Sequence, residues 1–319
     1  MPSVRLAVTV AILVAAVLGI TLSVPWLKTP VLIALADGLA VTGVIVLIRA
    51  GQVSFGHAMY ACLAGYGVAF IGRAFHLDAL LLVALGTVAA GLAGAVIGVF
   101  MVRYRGIFFG MLNLAFSMVL FSVLGKFGAV TGGTDGLRFD RPPFAGFHLQ
   151  REGFEIALLV LALAVAVMAG WAVQYYFRTV DGQALAAIKT NETRLEYLGI
   201  SAKRVFWRGY TLSAALCGLG GSIFALTQGL VTPDMGYWVR SGEIVFIAVL
   251  GGSAHAIGAF IGAFVFSFVK LYAAALLTAW QLVLGLVLIV MVFVAPTGIF
   301  GLVEKRLRPK PAPGKGGSA

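Results

Sequence analysis

The chain contains a series of long apolar runs, and most of them are about 20 residues long, the length at which a helix crosses the hydrocarbon core of a bilayer. Lipid offers the backbone no hydrogen-bond partners, so only helices and closed barrels can span it. The runs do not alternate between apolar and polar residues as the strands of a membrane barrel do. The sequence therefore predicts an all-α polytopic membrane protein.

The composition agrees with this fold class. Only 11% of the 319 residues are charged and 61% are hydrophobic, whereas soluble domains carry about 25% charged residues. The net charge of +11 would suggest nucleic acid for a soluble protein. Here the cations cluster at the ends of apolar runs, which is typical of cytoplasmic loops. We expect contact with membrane lipid and no nucleic-acid partner.

Eight full membrane spans are predicted from these runs. They cover residues 6–26, 30–48, 52–72, 79–102, 107–127, 154–177, 208–230 and about 275–296. The first run has no clear small-x-small cleavage site, so it is interpreted as a span rather than a signal peptide. We expect one transmembrane domain over 1–301, with an extracytoplasmic loop at 128–153 and a cytoplasmic loop at 178–207. The basic, Pro- and Gly-rich tail at 302–319 is expected to be disordered.

One apolar segment, residues 242–271, is interrupted by Gly251, Gly252 and Ser253 and is either one long span or a hairpin of two half-helices. Six cations lie in 178–208 and five lie after residue 301, so both regions are expected to be cytoplasmic. They share a side only if an even number of crossings separates them. This favours a broken or re-entrant helix pair at 242–271. Both termini are then cytoplasmic.

Motifs for catalysis, cofactors or metals are absent from the sequence. There is no G-x-x-x-x-G-K-[ST] loop, no H-E-x-x-H, no G-x-S-x-G, and the histidines are dispersed. We therefore expect no catalytic, cofactor-binding or metal-binding residues and a chain that is not an enzyme. Asp37, Glu243 and Lys270 are ionisable groups in apolar segments, where a charge is costly. For Asp37, a proton relay and a packed or interfacial carboxylate both stay open.

Polar residues and glycines gather at two predicted helix breaks. His57 and His255 each stand beside such a break, where a histidine hydrogen-bonded to nearby backbone, a substrate contact, and metal binding or catalysis are alternatives. The candidate functional residues at these breaks are Gln52, Ser54, Gly56, His57, Gly251, Gly252, Ser253, His255 and Gly258.

The loop at 178–207 is predicted to form two short amphipathic helices. Asp181 or Gly182 can begin the first, whose apolar stripe is Ala184, Leu185, Ala187 and Ile188. Asn191 can cap the second. Gly199 suits a left-handed stop after Leu198, with Ile200 as its hydrophobic contact. Surface helices anchored at the membrane interface are the simpler interpretation.

Several stretches of sequence resemble a known family. "GQALAAI" followed by "LGI" is similar to the cytoplasmic coupling loop of ABC-importer permeases. "GQVSFGHAMYACLAGYGVAF", "TGGTDGL", "VLGGSAHAIGAFIGA" and "APTGIFG" resemble, in order and spacing, the branched-chain amino-acid permease family, and in particular its M-type member. The family often has a glycine and a proline near positions 255–258, where this chain has Ala254, His255, Ala256, Ile257 and Gly258.

The resemblance implies a permease subunit of the bacterial inner membrane that translocates branched-chain amino acids. It also implies that the candidate residues at the two helix breaks line the transport pathway. Its implied partners are a second, H-type permease subunit, two cytoplasmic ABC ATPase subunits and a periplasmic substrate-binding protein. A related permease for urea or short amides, and a secondary transporter or channel that works alone, are the alternatives.

The same resemblance implies which loop residues meet the ATPases. Lys189, Glu192, Arg194 and Glu196 are expected to face them, and Leu185, Ile188, Leu195 and Leu198 to pack into a groove or the membrane. The implied coupling residues are Gly182, Ala184, Leu185, Ala187, Ile188, Lys189, Glu192, Arg194, Glu196, Leu198 and Gly199.

Overall fold

A computed structural model describes residues 14–253, 255–276, 279–295 and 298–307. The helices in chain order are α1 (Val14–Ser23), α2 (Lys28–Arg49), α3 (Ala58–Phe75), α4 (Ala79–Met101), α5 (Gly106–Lys126), α6 (Gly128–Thr131), α7 (Arg151–Tyr176), α8 (Val180–Thr190), α9 (Glu192–Tyr197), α10 (Ala202–Gln228), α11 (Trp238–Gly251), α12 (Ala256–Leu276), α13 (Trp280–Val294) and α14 (Gly298–Leu307). Two short strands, β1 (Leu137–Arg138) and β2 (Leu230–Val231), pair antiparallel.

Among the described residues, seven helices are long and apolar enough to cross a membrane: α2, α3, α4, α5, α7, α10 and α12. The predicted all-α polytopic class is therefore confirmed. The start of the predicted span 6–26 lies outside the described residues, and α1 covers its end. The predicted last span at 275–296 is wrong in its bounds, because the long helix ends at Leu276 and the following α13 has only 15 residues.

Two other helices begin more than one turn away from the position predicted for their spans. The span predicted at 52–72 begins only at Ala58, after an irregular stretch. The span predicted at 208–230 begins earlier, at Ala202, because the Ser201 side chain accepts a hydrogen bond from the Arg204 N–H and caps the helix. Lys203 and Arg204, assigned to the loop from their charge, thus lie in the first turn of α10.

The core of the bundle is built on α2 and α10. In α2, 89% of the most apolar stretch is buried, and in α10 72%, against 28% in α4, α5 and α12. α10 packs against α2, α3 and α4 through small residues. A methyl group added at Gly220 would lie 2.4 Å from the Ala36 carbonyl oxygen, and one at Gly221 2.2 Å from that of Ala61. These backbones approach so closely that only glycine fits.

One end of the bundle, which we call the loop end, is where α2 finishes, α5 begins and α8 lies. Arg49 Nε donates a hydrogen bond to the Gly182 carbonyl at 3.4 Å, and Gln52 Oε1 accepts one from the Gly106 N–H at 2.6 Å. The opposite end carries the connection from α5 to α7 and the β1–β2 pair.

The segment predicted to be broken forms an antiparallel helix pair. α11 and α12 are joined through residues 252–255, and the rings of Phe246 and Phe266 lie 5.5 Å apart. The arms are unequal, with 14 and 21 residues, and α12 alone has the length of a full span. The start of α14 returns to the loop end, where Gly298 lies against Gly252. α8 and α14 therefore lie at the same end, as the predicted even number of crossings requires.

The glycine contacts of α10 can be tested by adding single methyl groups. We expect Gly221→Ala to destabilise the protein by about 1–3 kcal/mol, because the new methyl would meet the Ala61 backbone. Gly67→Ala is the matched control, since nothing lies within 4 Å of its added methyl. The measurement is the thermal unfolding of the detergent-solubilised protein. Equal melting temperatures for the two variants would contradict this packing.

Candidate functional site

The first candidate group lies in the α2–α3 linker (residues 50–57), which is irregular in conformation. Gln52, Ser54 and Gly56 are buried, whereas the alternating residues Val53 and Phe55 are partly exposed. The linker thus presents its polar side chains to the interior. Gly51, with a φ of 73°, makes the left-handed turn that ends α2.

The polar side chains of the linker fasten it to its neighbours. Gln52 bonds the first N–H of α5, and Ser54 Oγ lies 2.6 Å from His57 Nδ1. A methyl group on Gly56 would lie 2.0 Å from the Asn113 carbonyl oxygen, so the linker backbone presses directly against α5. Residues predicted to line a pathway are therefore used, in this conformation, to seal the linker against α5.

A buried polar network lies beside the linker. The hydroxyls of Tyr60 and Tyr210 are 2.8 Å apart, and Tyr210 donates a hydrogen bond to Asn113 Oδ1 at 2.6 Å. The His57 ring stands edge-on to both tyrosines, with centroid distances of 5.3 and 5.2 Å. The His57 ring is hydrogen-bonded to the Ser54 side chain and not to neighbouring backbone, which corrects that interpretation of His57.

Sequence reasoning missed Asn113 and Tyr210 as members of this network. The available signal was weak: a single asparagine and a single tyrosine inside otherwise apolar spans. Such groups in a membrane need partners within the protein. The identity of the partner, which lies 97 residues away in the chain, has no signature in one sequence.

The helices of the predicted coupling loop form with the expected local chemistry, apart from the first residue. α8 begins at Val180 and not at Asp181 or Gly182, because the Thr179 side chain accepts a hydrogen bond from the Gly182 N–H. Asn191 caps α9 as predicted, accepting from the Arg194 N–H at 2.9 Å. Gly199 adopts a φ of 77° and ends α9, as predicted.

The end of α9 is a Schellman motif. The Gly199 N–H bonds to the Glu196 carbonyl and the Ile200 N–H to the Leu195 carbonyl. Ile200 is partly buried and packs against the core, which is the predicted hydrophobic contact. The chain direction leaving α9 is thereby fixed before α10 begins.

The apolar stripe of α8 and α9 packs against the chain's own bundle. Leu185, Ile188 and Leu195 are buried, which corrects the expectation that they lie in a partner's groove or in the membrane. A methyl group on Gly209 would lie 3.0 Å from Leu185 Cδ1, so this part of α10 receives the stripe. Leu198, also expected to pack, is 73% exposed.

Small residues make this docking possible. Ala184 is buried and Ala187 is partly buried against the core. A methyl group on Gly182 would lie 2.1 Å from the Tyr176 carbonyl oxygen. α8 therefore lies directly on the end of α7.

Two arginines clamp the coupling helices to the bundle. Arg105 forms two bonds to the Glu192 carboxylate, at 2.9 and 3.1 Å, and its guanidinium lies 4.5 Å from the centre of the Phe206 ring. Arg49 bonds the Gly182 carbonyl and lies over Phe177 at 4.4 Å. Glu192, predicted to face an ATPase, is therefore held within the chain.

Five side chains of α8, α9 and the residue that follows α9 point outward. Lys189, Arg194 and Glu196 are exposed, and Tyr197 and Leu198 are 87% and 73% exposed. We call these five residues the coupling surface. It lies at the loop end, on helices whose opposite face is anchored by Arg49 and Arg105.

The second candidate group, at residues 251–258, is a crossing of backbones. A methyl group on Gly251 would lie 1.9 Å from the Gly258 carbonyl oxygen, and one on Gly298 2.4 Å from Gly252 Cα. Gly252 has a φ of 95°. Gln174 Nε2 lies 3.4 Å from His255 Nδ1. This group packs on α7, α12 and α14, whereas the linker packs on α5, so the two groups have different neighbours.

Comparison with known proteins assigns the fold to a family. Residues 27–294 match the family described as "Branched-chain amino acid transport system / permease component". The chain belongs to this family of permease components. The seven spans found in the described part of the chain and its family membership both identify this permease as a multi-pass membrane protein.

The relatives of this permease are transport proteins. It is 24% identical over 296 residues to the high-affinity branched-chain amino acid transport system permease protein LivM of Escherichia coli (strain K12), which covers 86% of this chain and 70% of that protein. It is 29% identical over 255 residues, 76% of this chain and 68% of the relative, to the autoinducer 2 import system permease protein LsrC of Enterobacter sp. (strain 638). No solved structure matches.

The clamp predicts a local change in the stability of this permease. Replacing Glu192 with alanine should expose the coupling helices to solvent more often, because Arg105 loses its partner. The partly exposed pair is worth about 1 kcal/mol, which corresponds to about fivefold faster amide hydrogen exchange in α8 and α9. Glu196→Ala, an exposed glutamate on the same helix, is the control and should leave exchange unchanged. Equal exchange in both variants would refute the clamp.

Proposed function

We propose that this chain is the transmembrane permease subunit of an ATP-binding-cassette importer that carries branched-chain amino acids across the bacterial inner membrane. The observation that carries the proposal is the coupling surface, an exposed patch on two helices that are clamped to a membrane-spanning bundle of this family. The sequence has no nucleotide-binding loop of its own. Two separate cytoplasmic ATPase subunits therefore hydrolyse the ATP, and the chain itself is no enzyme.

The other partners follow from the same proposal. A second, H-type permease subunit completes the translocation pathway, and a periplasmic binding protein delivers the amino acid. Supporting this, relatives of the chain include both the LivM protein of Escherichia coli and a probable branched-chain amino acid transport permease protein, LivH, of Methanocaldococcus jannaschii, to which it is 25% identical over 210 residues.

In the proposed orientation the loop end faces the cytoplasm. The coupling loop and the tail carry Lys and Arg residues, as cytoplasmic segments do. In this arrangement residues 1–301 form one permease domain with cytoplasmic coupling helices, and residues 302–319 form a basic cytoplasmic tail. The expected disorder of this tail is wrong for its first residues, because α14 continues to Leu307. Both termini then lie inside the cell.

Motion reaches the bundle through the clamps. ATP closes the two ATPase subunits, and α8 and α9 follow them as a rigid body because Arg49 and Arg105 hold them to the ends of α2 and α5. Gln52 continues this connection into the α2–α3 linker. Rocking these helices changes the seal between the linker and α5, where Ser54, Gly56 and His57 lie. The other helix break, at the loop end, changes conformation in the same motion. Its residues are Gly251, Gly252, Ser253, His255 and Gly258.

The function is tested by reconstituting the chain in proteoliposomes with and without its ATPase, second permease and binding-protein partners. The complete complex should take up leucine only when ATP is supplied on the ATPase side. Uptake by this chain alone without ATP would instead indicate a secondary transporter or channel. Uptake of urea or acetamide without leucine would indicate the related permease for small amides.

The coupling surface is tested by placing one charge on it. Leu198→Asp should reduce co-purification of the ATPase subunits at least about tenfold, as expected for an interface residue worth more than about 1.4 kcal/mol. Phe147→Asp is the control, because Phe147 is 71% exposed in the connection at the opposite end. A charge at Ala187 would be less informative, because Ala187 is partly buried in the chain itself. Normal ATPase binding by the Leu198 variant would refute the assignment.

A further inference from the structure

Four charged side chains meet inside the bundle, on α2, α11 and α12. Arg240 donates hydrogen bonds to Asp37 and, at 2.6 Å, to Glu243 Oε2. Lys270 donates to Glu243 Oε1 at 2.7 Å. Two cations thus face two carboxylates, and the group carries no net charge. Three of its members stood out in the sequence as separate ionisable residues, and Arg240 joins them.

This charge group lies near the middle of the membrane. Asp37 is 12 residues before Arg49, the last residue of α2, which places it about 18 Å from the loop end at the rise of an α-helix. The hydrocarbon core is about 30 Å thick. Asp37 is only 5% exposed, so the bundle and not lipid surrounds it.

Stability alone does not account for such a group. A charged residue at this depth costs about 2.5–3.5 kcal/mol on insertion scales. Replacing buried ion pairs by apolar residues of similar volume is often neutral or stabilising. Ionisable residues inside a membrane therefore point to function, with the partner that each one keeps.

The Asp37–Arg240 pair borders a small internal cavity. Its other walls are the glycine backbones at Gly220 and Gly221 and the apolar side chains of Phe224, Met235 and Ile244. The cavity is about 20 Å³, which is room for about one water. Opposite charges lie on one side and apolar groups on the other, which matches an aliphatic amino acid in chemistry, while the present volume is too small to hold one.

We propose that Asp37 and Arg240 bind the zwitterionic head of the transported amino acid. The Asp37 carboxylate takes the α-ammonium group and the Arg240 guanidinium takes the α-carboxylate, while Glu243 and Lys270 hold Arg240 in place. In the described conformation the two residues neutralise each other and the cavity is too small to hold the substrate. A zwitterion exchanges one ion pair for two without changing the net charge, whereas a simple amine or carboxylate leaves one residue unpaired. This inference rests on the proposed function and names the residues that meet the substrate.

A purely structural ion pair makes a different prediction. A structural pair works in either order, so exchanging its two charges restores whatever single neutralisations remove. A site for the amino-acid head group does not recover its function in this way. With the charges exchanged, a substrate whose side chain faces the apolar wall would meet a cation with its ammonium group and an anion with its carboxylate. The test compares Asp37→Asn, Arg240→Gln and a double exchange that inverts both pairs of the charge group: Asp37→Arg with Arg240→Asp, and Glu243→Lys with Lys270→Glu. Inverting both pairs keeps residue 240 from facing a like charge at residue 243. The exposed pair Arg151–Glu155, exchanged in the same way, is the control.

The readouts are leucine uptake by the complete reconstituted complex and the rise in its melting temperature with leucine, measured without binding protein. In the wild type, leucine should raise the melting temperature, and neither leucine amide nor 4-methylpentanoate should match it. Each neutralisation should lower uptake at least tenfold. The double exchange should recover the melting temperature of the unliganded complex but neither uptake nor the response to leucine. The control exchange should change nothing.

The outcomes separate this inference from the proposed function. If the double exchange takes up leucine within twofold of the wild type, the ion pair is structural, and the inference fails while the proposed function stands. The same holds if the wild type transports leucine but leucine does not raise its melting temperature. A complete wild-type complex that transports no aliphatic amino acid overturns both proposals. If the double exchange does not fold, Arg240→Lys decides: it keeps the ion pair, and the leucine concentration for half the melting response should rise about tenfold. An unchanged concentration would overturn the inference.

Discussion

The close approach of backbones along α10 is the constraint on which the other features of this permease depend. Lipid supplies no hydrophobic force between helices, so their association depends on van der Waals contact between small residues. Gly220 lies against the backbone of α2 at Ala36, and Gly221 against that of α3 at Ala61. Asp37 directly follows the first contact and Tyr60 directly precedes the second. The packing that closes the bundle therefore also sets the positions of the charge group and of the buried tyrosine network.

The same helix connects this interior to the coupling surface. The first turns of α10 receive Leu185 at Gly209, and Phe206 lies beneath the guanidinium of Arg105. One turn further on, Tyr210 bonds both Tyr60 and Asn113. A displacement of α8 and α9 thus meets a stiff path of packed side chains and charge-assisted bonds. This is a physical reason for a permease of this family to place short, otherwise marginal helices on the end of its central helix.

Much of the fold follows from local features of the sequence. The apolar runs predict α2, α4, α5 and α7 to within a few residues, and the chemistry of Asn191 and Gly199 predicts both ends of α9. The boundary between α12 and α13 was placed a few residues too early, because residues 271–295 contain no charged residue and no clear stop signal. The start of α3 was also missed, since the polar residues of the linker are buried there by contact with α5.

The contacts that build the candidate sites have no such local signal. The sequence predicts Glu192 to be a surface residue of an amphipathic helix. In the structure it is bound by Arg105, which lies 87 residues away in the chain. Asp37 and Arg240 are separated by 203 residues. From the sequence, the apolar stripe of α8 is equally compatible with lipid, a partner's groove or the chain's own bundle. The structure decides among them, because Gly209 of α10 leaves room for Leu185 and the stripe packs against the chain's own bundle.

The most direct measurement is the distance between spin labels in the complete complex, with and without ATP. Labels replace Glu196 on the coupling surface, Val53 in the linker and Phe147 at the opposite end, all of them exposed positions. If α8, α9 and the linker move as one body, the 196–53 distance stays constant on adding ATP while the 196–147 distance changes. A changed 196–53 distance with a constant 196–147 distance would contradict this transmission.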